Sequence, residues 1–110
     1  MGLENYYGSS DKSNRFIDPE TNEEYFVLVN KQTGAKEIWN EEWGPKDKRV
    51  ATVNADGTIE YNDGFFSNVR QSDRDFVKQI LSDGTINSIA ENTVLKDSDL
   101  TPAQTKNLLK

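Results

Sequence analysis

Residues 16–39 read FIDPETNEEYFVLVNKQTGAKEIW, and within them the pattern Asp18-Pro19-Glu20-Thr21-Asn22-Glu23 returns twelve positions later as Asn30-Lys31-Gln32-Thr33-Gly34-Ala35. Each copy begins with Asp or Asn, carries Thr fourth and has Asn or Gly fifth. Such a loop is entered through a type I turn and left by a residue at positive φ, which glycine adopts freely and asparagine tolerates. Pro19 presets φ in the first copy. Two turns of this kind pair Phe16 with Tyr25, Ile17 with Glu24, Val27 with Ile38 and Phe26 with Trp39. A three-stranded antiparallel meander over about 15–39 follows.

A third hairpin surrounds Asn54-Ala55-Asp56-Gly57-Thr58. A two-residue Asp-Gly turn sets Val53 opposite Glu60 and mixes both faces. A three-residue loop with Gly57 as a left-handed bulge instead pairs Val53 with Ile59, Ala51 with Tyr61 and Thr52 with Glu60. It leaves one face apolar and the other polar, and is the register expected.

Beyond Gly64 the apolar spacing changes from strand-like to helix-like. Ser72-Asp73-Arg74-Asp75 offers a capping residue and two acids at a helix start, with Phe76, Val77, Ile80 and Leu81 as one stripe and Gly84 as the stop. A short helical turn is expected to hold Ile86, Ile89 and Ala90. Thr101-Pro102-Ala103-Gln104 is a capping box with proline at the first helical position, opening a last helix with Leu108 and Leu109. The expected fold is α+β: antiparallel β-meander and hairpins over about 15–62, then two or three short α-helices over about 72–110. Residues 1–14, with Leu3, Tyr6 and Tyr7 before a Gly-Ser-Ser-Asp-Lys-Ser-Asn stretch, read as a flexible N-terminal arm. Residues 15–110 read as one small domain, with a hairpin part to 64 and a helical part from 65. The structural turn residues are Asn22, Gly34, Gly57 and Gly84.

Composition narrows the chemistry. Of 110 residues, 34% are apolar against roughly 45–50% in typical globular chains, so the core is small. Cysteine and histidine are absent, which removes thiolate nucleophiles, disulfides, the imidazole base and metal sites built on either. Net charge is −6, and all of that excess lies in residues 1–64, with 13 acids and 7 bases, whereas 65–110 hold 6 of each. Such a balance disfavours direct binding to nucleic acid or an anionic membrane. The longest apolar run, Tyr25 to Val29, is far too short to span a bilayer or form a signal peptide. The chain is expected to be soluble, without a secretion signal, in a cytoplasm or as part of a virion.

Several motifs bear on chemistry. Glu20, Glu23, Glu24, Glu37, Glu41 and Glu42 lie close in sequence, and paired carboxylates perform glycoside hydrolysis, but a small meander offers little bulk for the cleft that chemistry requires. Thr52 to Asp63 overlies a calcium-binding EF-hand loop, yet begins with Thr, ends with Asp in place of the bidentate Glu, and follows the β-branched run Val50 to Val53. Asp83 to Ser88 resembles a dockerin calcium repeat over six residues, but Gln79, Leu81 and Ala90 stand where ligands belong. Tyr25 to Trp39, with Thr33-Gly34 in the turn and Pro45 beyond, resembles the second and third strands of a WW domain, a module that binds proline-rich peptides. That family's opening Trp has no counterpart before Tyr25, and Pro45 follows Trp43 by only two residues, so no binding residue carries over. No catalytic residue, metal site or cofactor is expected, and the chain is read as a non-enzyme.

The expected registers send Tyr25, Val27, Val29, Phe16 and Ile38 to one sheet face and Ile17, Phe26, Leu28 and Trp39 to the other, whereas a half-solvated sheet alternates apolar with polar. The helix near 72–82 covers one side. The other falls to the arm, to Trp43, to Phe65 and Phe66, or to another chain. The candidate interface is therefore Tyr6, Tyr7, Phe26, Leu28, Trp39, Trp43, Phe65 and Phe66, and the partner is another protein or a second copy. The leading functional reading is a non-enzymatic protein-interaction or structural assembly module. In texture the turn-rich hairpins, the arm and the terminal helix resemble small virion components of tailed phages. Two rival readings are an acidic, nucleic-acid-mimicking inhibitor of a DNA- or RNA-binding protein and a carboxylate-based enzyme or calcium-binding module.

Overall fold

The computed structural model describes residues 5–8, 14–41, 49–62 and 69–109. Both copies of the repeated turn close in the same way. The leading Asx side chain accepts from the third residue's N–H, Glu20 N to Asp18 Oδ1 at 2.9 Å and Gln32 N to Asn30 Oδ1 at 2.8 Å. The fourth-position threonine hydroxyl accepts from the sixth residue, Glu23 N at 3.3 Å and Ala35 N at 3.2 Å. Asn22 (φ 61°) and Gly34 (φ 76°) stand at the fifth position, in the left-handed region. Each part of the pattern thus satisfies one backbone donor that a turn would otherwise leave without a partner.

These turns connect β2 (Arg15–Ile17), β3 (Glu24–Asn30) and β4 (Lys36–Asn40), followed by β5 (Arg49–Val53) and β6 (Ile59–Tyr61). The registers are Phe16 with Tyr25, Ile17 with Glu24, Val27 with Ile38 and Phe26 with Trp39. The last hairpin pairs Val53 with Ile59, Thr52 with Glu60 and Ala51 with Tyr61 around Gly57 at φ 91°. The stretch that overlies an EF-hand loop is therefore a hairpin. A bulge between Ile38 and Trp39 lets consecutive Val50 and Ala51 both join the core.

The stretch read as an arm differs where it is described. Tyr6–Tyr7 form β1, paired with Asn30 and Val29 on the same edge of β3 that receives β2 lower down. The gap between the two short strands is stitched by the Asn14 amide, which donates to both the Gly8 and Val27 carbonyls. The Gly8 N–H donates to Asp97 at 2.9 Å, tying the segment to the helical layer. Alternating polar letters and glycine conceal a strand of two residues, and only the β3 edge reveals it.

Three helices follow, α1 (Gln71–Ser82), α2 (Thr85–Lys96) and α3 (Pro102–Leu108), completing an α+β arrangement of a six-stranded antiparallel sheet and three short helices. The start of α1 lies one residue ahead of the expected Ser72. Asp73 occupies its third position, and its carboxylate accepts from the Arg70 N–H at 3.0 Å. Where a short turn was expected, α2 runs for twelve residues. Asn87, Ser88, Asn92 and Thr93 weaken its intrinsic preference, but Ile86, Ala90 and Val94 form a fully buried stripe at helical spacing, and that packing supplies what propensity lacks. Thr101 and Gln104 form the expected capping box on α3, with Pro102 at its first position. The core is Tyr25, Val27, Val29 and Ile38 from the sheet against Phe76, Val77, Ile80 and the α2 stripe. No described helix is long and apolar enough to cross a membrane.

Candidate functional site

The core contacts made by α1 and α2 involve one sheet face. On the opposite face the register aligns Arg15, Phe26, Trp39 and Arg49 in one row across β2, β3, β4 and β5. The side chains of the first three meet in sequence. The Arg15 guanidinium lies 5.1 Å from the Phe26 ring centre, and Phe26 stacks on Trp39 at 5.8 Å and 17°. Directly opposed aromatic and cationic pairs of this kind stabilise a sheet beyond the area they bury. Carboxylates flank the row on both sides. Arg15 binds Glu41 at 2.7 Å and Glu24 at 3.3 Å, while Glu37 accepts from the Trp39 indole N–H at 3.2 Å. Ile17, beside Glu24, is 55% exposed and is the most open large apolar side chain among the described residues.

The candidate contact residues divide. Tyr7 packs against the helix-covered core, with the Lys31 ammonium 5.1 Å from its ring centre. Leu28 is buried, and so is Tyr6, whose hydroxyl is pushed up by burial and by its bond to Glu37. These three therefore also serve the fold, Tyr6 and Tyr7 through the pairing of β1 with the β3 edge and Leu28 through its burial. Phe26 and Trp39 stay partly exposed. Trp43, Phe65 and Phe66 lie outside the described residues. Ile17 and Arg15 lie on the same face and stand outside the candidate set. Ile17's position opposite Glu24 follows from the turn pattern, while the role of Arg15 depends on its side chain reaching Glu24 on β3 and Glu41 just beyond β4.

The densest buried polar group lies elsewhere, where α1 begins against β3 and β4. Asp73 is fully buried. Its carboxylate accepts from the Tyr25 hydroxyl at 2.6 Å, from the Asn40 amide at 3.3 Å and from the Arg70 side chain at 3.1 Å, as well as from the Arg70 N–H. Arg70 also binds Glu23. Burial pushes the Asp73 carboxyl up, but Arg70 and the Tyr25 hydroxyl outweigh it and hold it below its ordinary value. Burial and the Asp73 bond push the Tyr25 phenol well up. With its lone pairs taken by four donor groups, Asp73 acts as a clamp that fixes α1 to the sheet.

A second buried charge is Lys36, on the helix side of β4, 6% exposed and donating to Asn87 at 2.9 Å. Burial lowers its pKa, partly offset by the Glu91 charge. An ammonium held by a neutral amide carries a desolvation cost that an isosteric apolar chain avoids. Lys36→Met is therefore expected to stabilise the protein by about 1 kcal/mol at pH 7. Because the folded pKa is depressed, the wild-type penalty fades as pH rises through it, and the charge part of the gain should be gone once pH passes the unfolded value of about 10.4. Denaturant melts of both proteins at neutral and alkaline pH check this, and a less stable variant at pH 7 would contradict it.

Compared with known proteins, the chain matches no family model, no curated protein sequence and no solved structure.

Proposed function

We propose that the protein is a non-enzymatic interaction or assembly module that docks another protein chain through the sheet face opposite its helices. The reading rests on one observation above the others: the stacked Phe26–Trp39 pair and the exposed Ile17 lie together on the face that the core-forming contacts of α1 and α2 do not use. Aromatic side chains held rigid by neighbours lose little entropy on contact, which suits them to anchor an interface. The narrower form of the reading, a small virion component, draws only on the turn-rich texture of the sequence.

A photo-crosslinking residue placed at position 17 tests the docking face, with the same residue at exposed Lys78 on α1 as the control. In extracts of the cell that makes the protein, position 17 is expected to give discrete protein adducts that position 78 does not. Equal adduct patterns from the two positions, or none from position 17, would remove the reading.

A further inference from the structure

We infer that the partner of the Phe26–Trp39 face is an extended polypeptide segment in which every second side chain, the set that shares one face, is by turns apolar and lysine or arginine. This rests on the docking reading above and deepens it. Three rows of residues cross the face opposite the helices. The middle row is Arg15, Phe26, Trp39 and Arg49. Above it stand Ile17, Glu24 and Glu41, with Glu41 joined to Glu24 through its N–H at 2.8 Å. Below it stand Glu37 and Glu60 beside the buried Leu28 and Thr52, with Glu37 bonded to the Tyr6 hydroxyl. Successive rows on one strand face are about 7 Å apart, the two-residue repeat of an extended chain.

The charge on these rows is unequal. Four glutamates face two arginines among the described residues, and Arg15 is already shared between Glu24 and Glu41. The wider field has the same sign, since the whole net charge of −6 belongs to residues 1–64, the part that builds this sheet. An apolar centre rimmed by negative charge complements an apolar segment rimmed by positive charge. An extended segment matches the geometry as well. Its same-face side chains repeat at the spacing of the rows, so leucine-like groups meet Ile17 and the ring edges while cationic groups meet the glutamates.

The test uses the full chain and two short synthetic peptides, the lysine peptide repeating Leu-Ser-Lys-Ser and the glutamate peptide repeating Leu-Ser-Glu-Ser, titrated by calorimetry at low and at physiological salt. Only the lysine peptide is expected to bind. Ile17→Ser and the pair Glu37→Gln with Glu60→Gln should each weaken it at least about fivefold, while Asp75→Asn with Asp99→Asn on the helix side should change it less than about twofold. Circular dichroism confirms that each variant is folded. Equal loss from the helix-side pair means diffuse attraction and overturns the inference, as does binding of the glutamate peptide or no binding of either. If position 17 crosslinks to a partner lacking basic residues, the docking reading stands and this inference falls.

Discussion

Asp73→Ala is expected to destabilise the protein by about 3–5 kcal/mol, the range for removing one partner from a buried, fully bonded charge. The Tyr25 hydroxyl, the Asn40 amide and the Arg70 N–H all lose the same acceptor at once. The Arg70 side chain is 46% exposed, so its ion pair is screened and most of the loss comes from the groups left buried. Tyr25→Phe, which removes one donor and keeps the acceptor, should cost only about 1 kcal/mol. The two changes should not add, because Asp73→Ala already breaks the bond that Tyr25→Phe removes. Urea melts of the two single variants and the double variant measure this. A cost below about 1 kcal/mol for Asp73→Ala would show that the clamp contributes little.

The same carboxylate sets an acid limb. Its folded pKa is depressed, so the folded chain holds this proton less readily than the unfolded chain. The stabilisation is fully present above the unfolded value of about 3.9 and is lost as pH falls through the folded one. The stability gap between wild type and Asp73→Asn should therefore narrow over that window. A gap that stays constant down to about pH 2.5 would assign the effect to shape and not to charge.

Gly34→Ala should be the most damaging glycine change of the two hairpin turns with glycine at positive φ. Gly34 sits at φ 76° and Gly57 at φ 91°, so both replacements carry the left-handed penalty of roughly 1–2 kcal/mol. Their surroundings differ. Nothing lies within 4 Å of a β-carbon built on Gly57, whereas one built on Gly34 runs into the Leu108 carbonyl oxygen, well inside the 3.0 Å that real β-carbons keep. The obstacle is backbone, at the end of α3, so the helix must lift for the methyl to fit. A helix of seven residues does not persist without its tertiary contacts, and Leu108 and Leu109 leave the core with it. Gly57→Ala should lower the melting temperature by roughly 4–8 °C, and Gly34→Ala by about twice that, with loss of amide protection across α3. Equal effects at the two glycines would mean that α3 is not seated on the β3–β4 turn.

How much of this was readable in advance depends on the range of the cause. The two turns with Thr fourth, the seven strand pairings quoted for the meander and the Gly57 hairpin, and the capping box of α3 arise from groups a few residues apart, and their letters carry the reason. The length of α2 was not readable, because Asn, Ser and Thr inside it argue for a turn and the stripe of Ile86, Ala90 and Val94 has force only once a sheet lies against it. Tyr6 and Tyr7 looked like a loose tip for a similar reason: a strand of two residues exists only by virtue of the edge it joins.

The candidate face shows the same division. Alternation along Glu24 to Asn30 and the turn geometry together imply two apolar sheet faces, which follows from the two-residue repeat of a strand. Which face the helices cover, and that Arg15 closes the aromatic row while Asp73 ties α1 to Tyr25 and Asn40, depends on side chains up to 48 positions apart meeting in space. Local hydrogen bonding and pleat are written in neighbouring residues. Burial and long-range pairing come into being only when the layers pack, because desolvation is a property of what surrounds a group and not of the group itself.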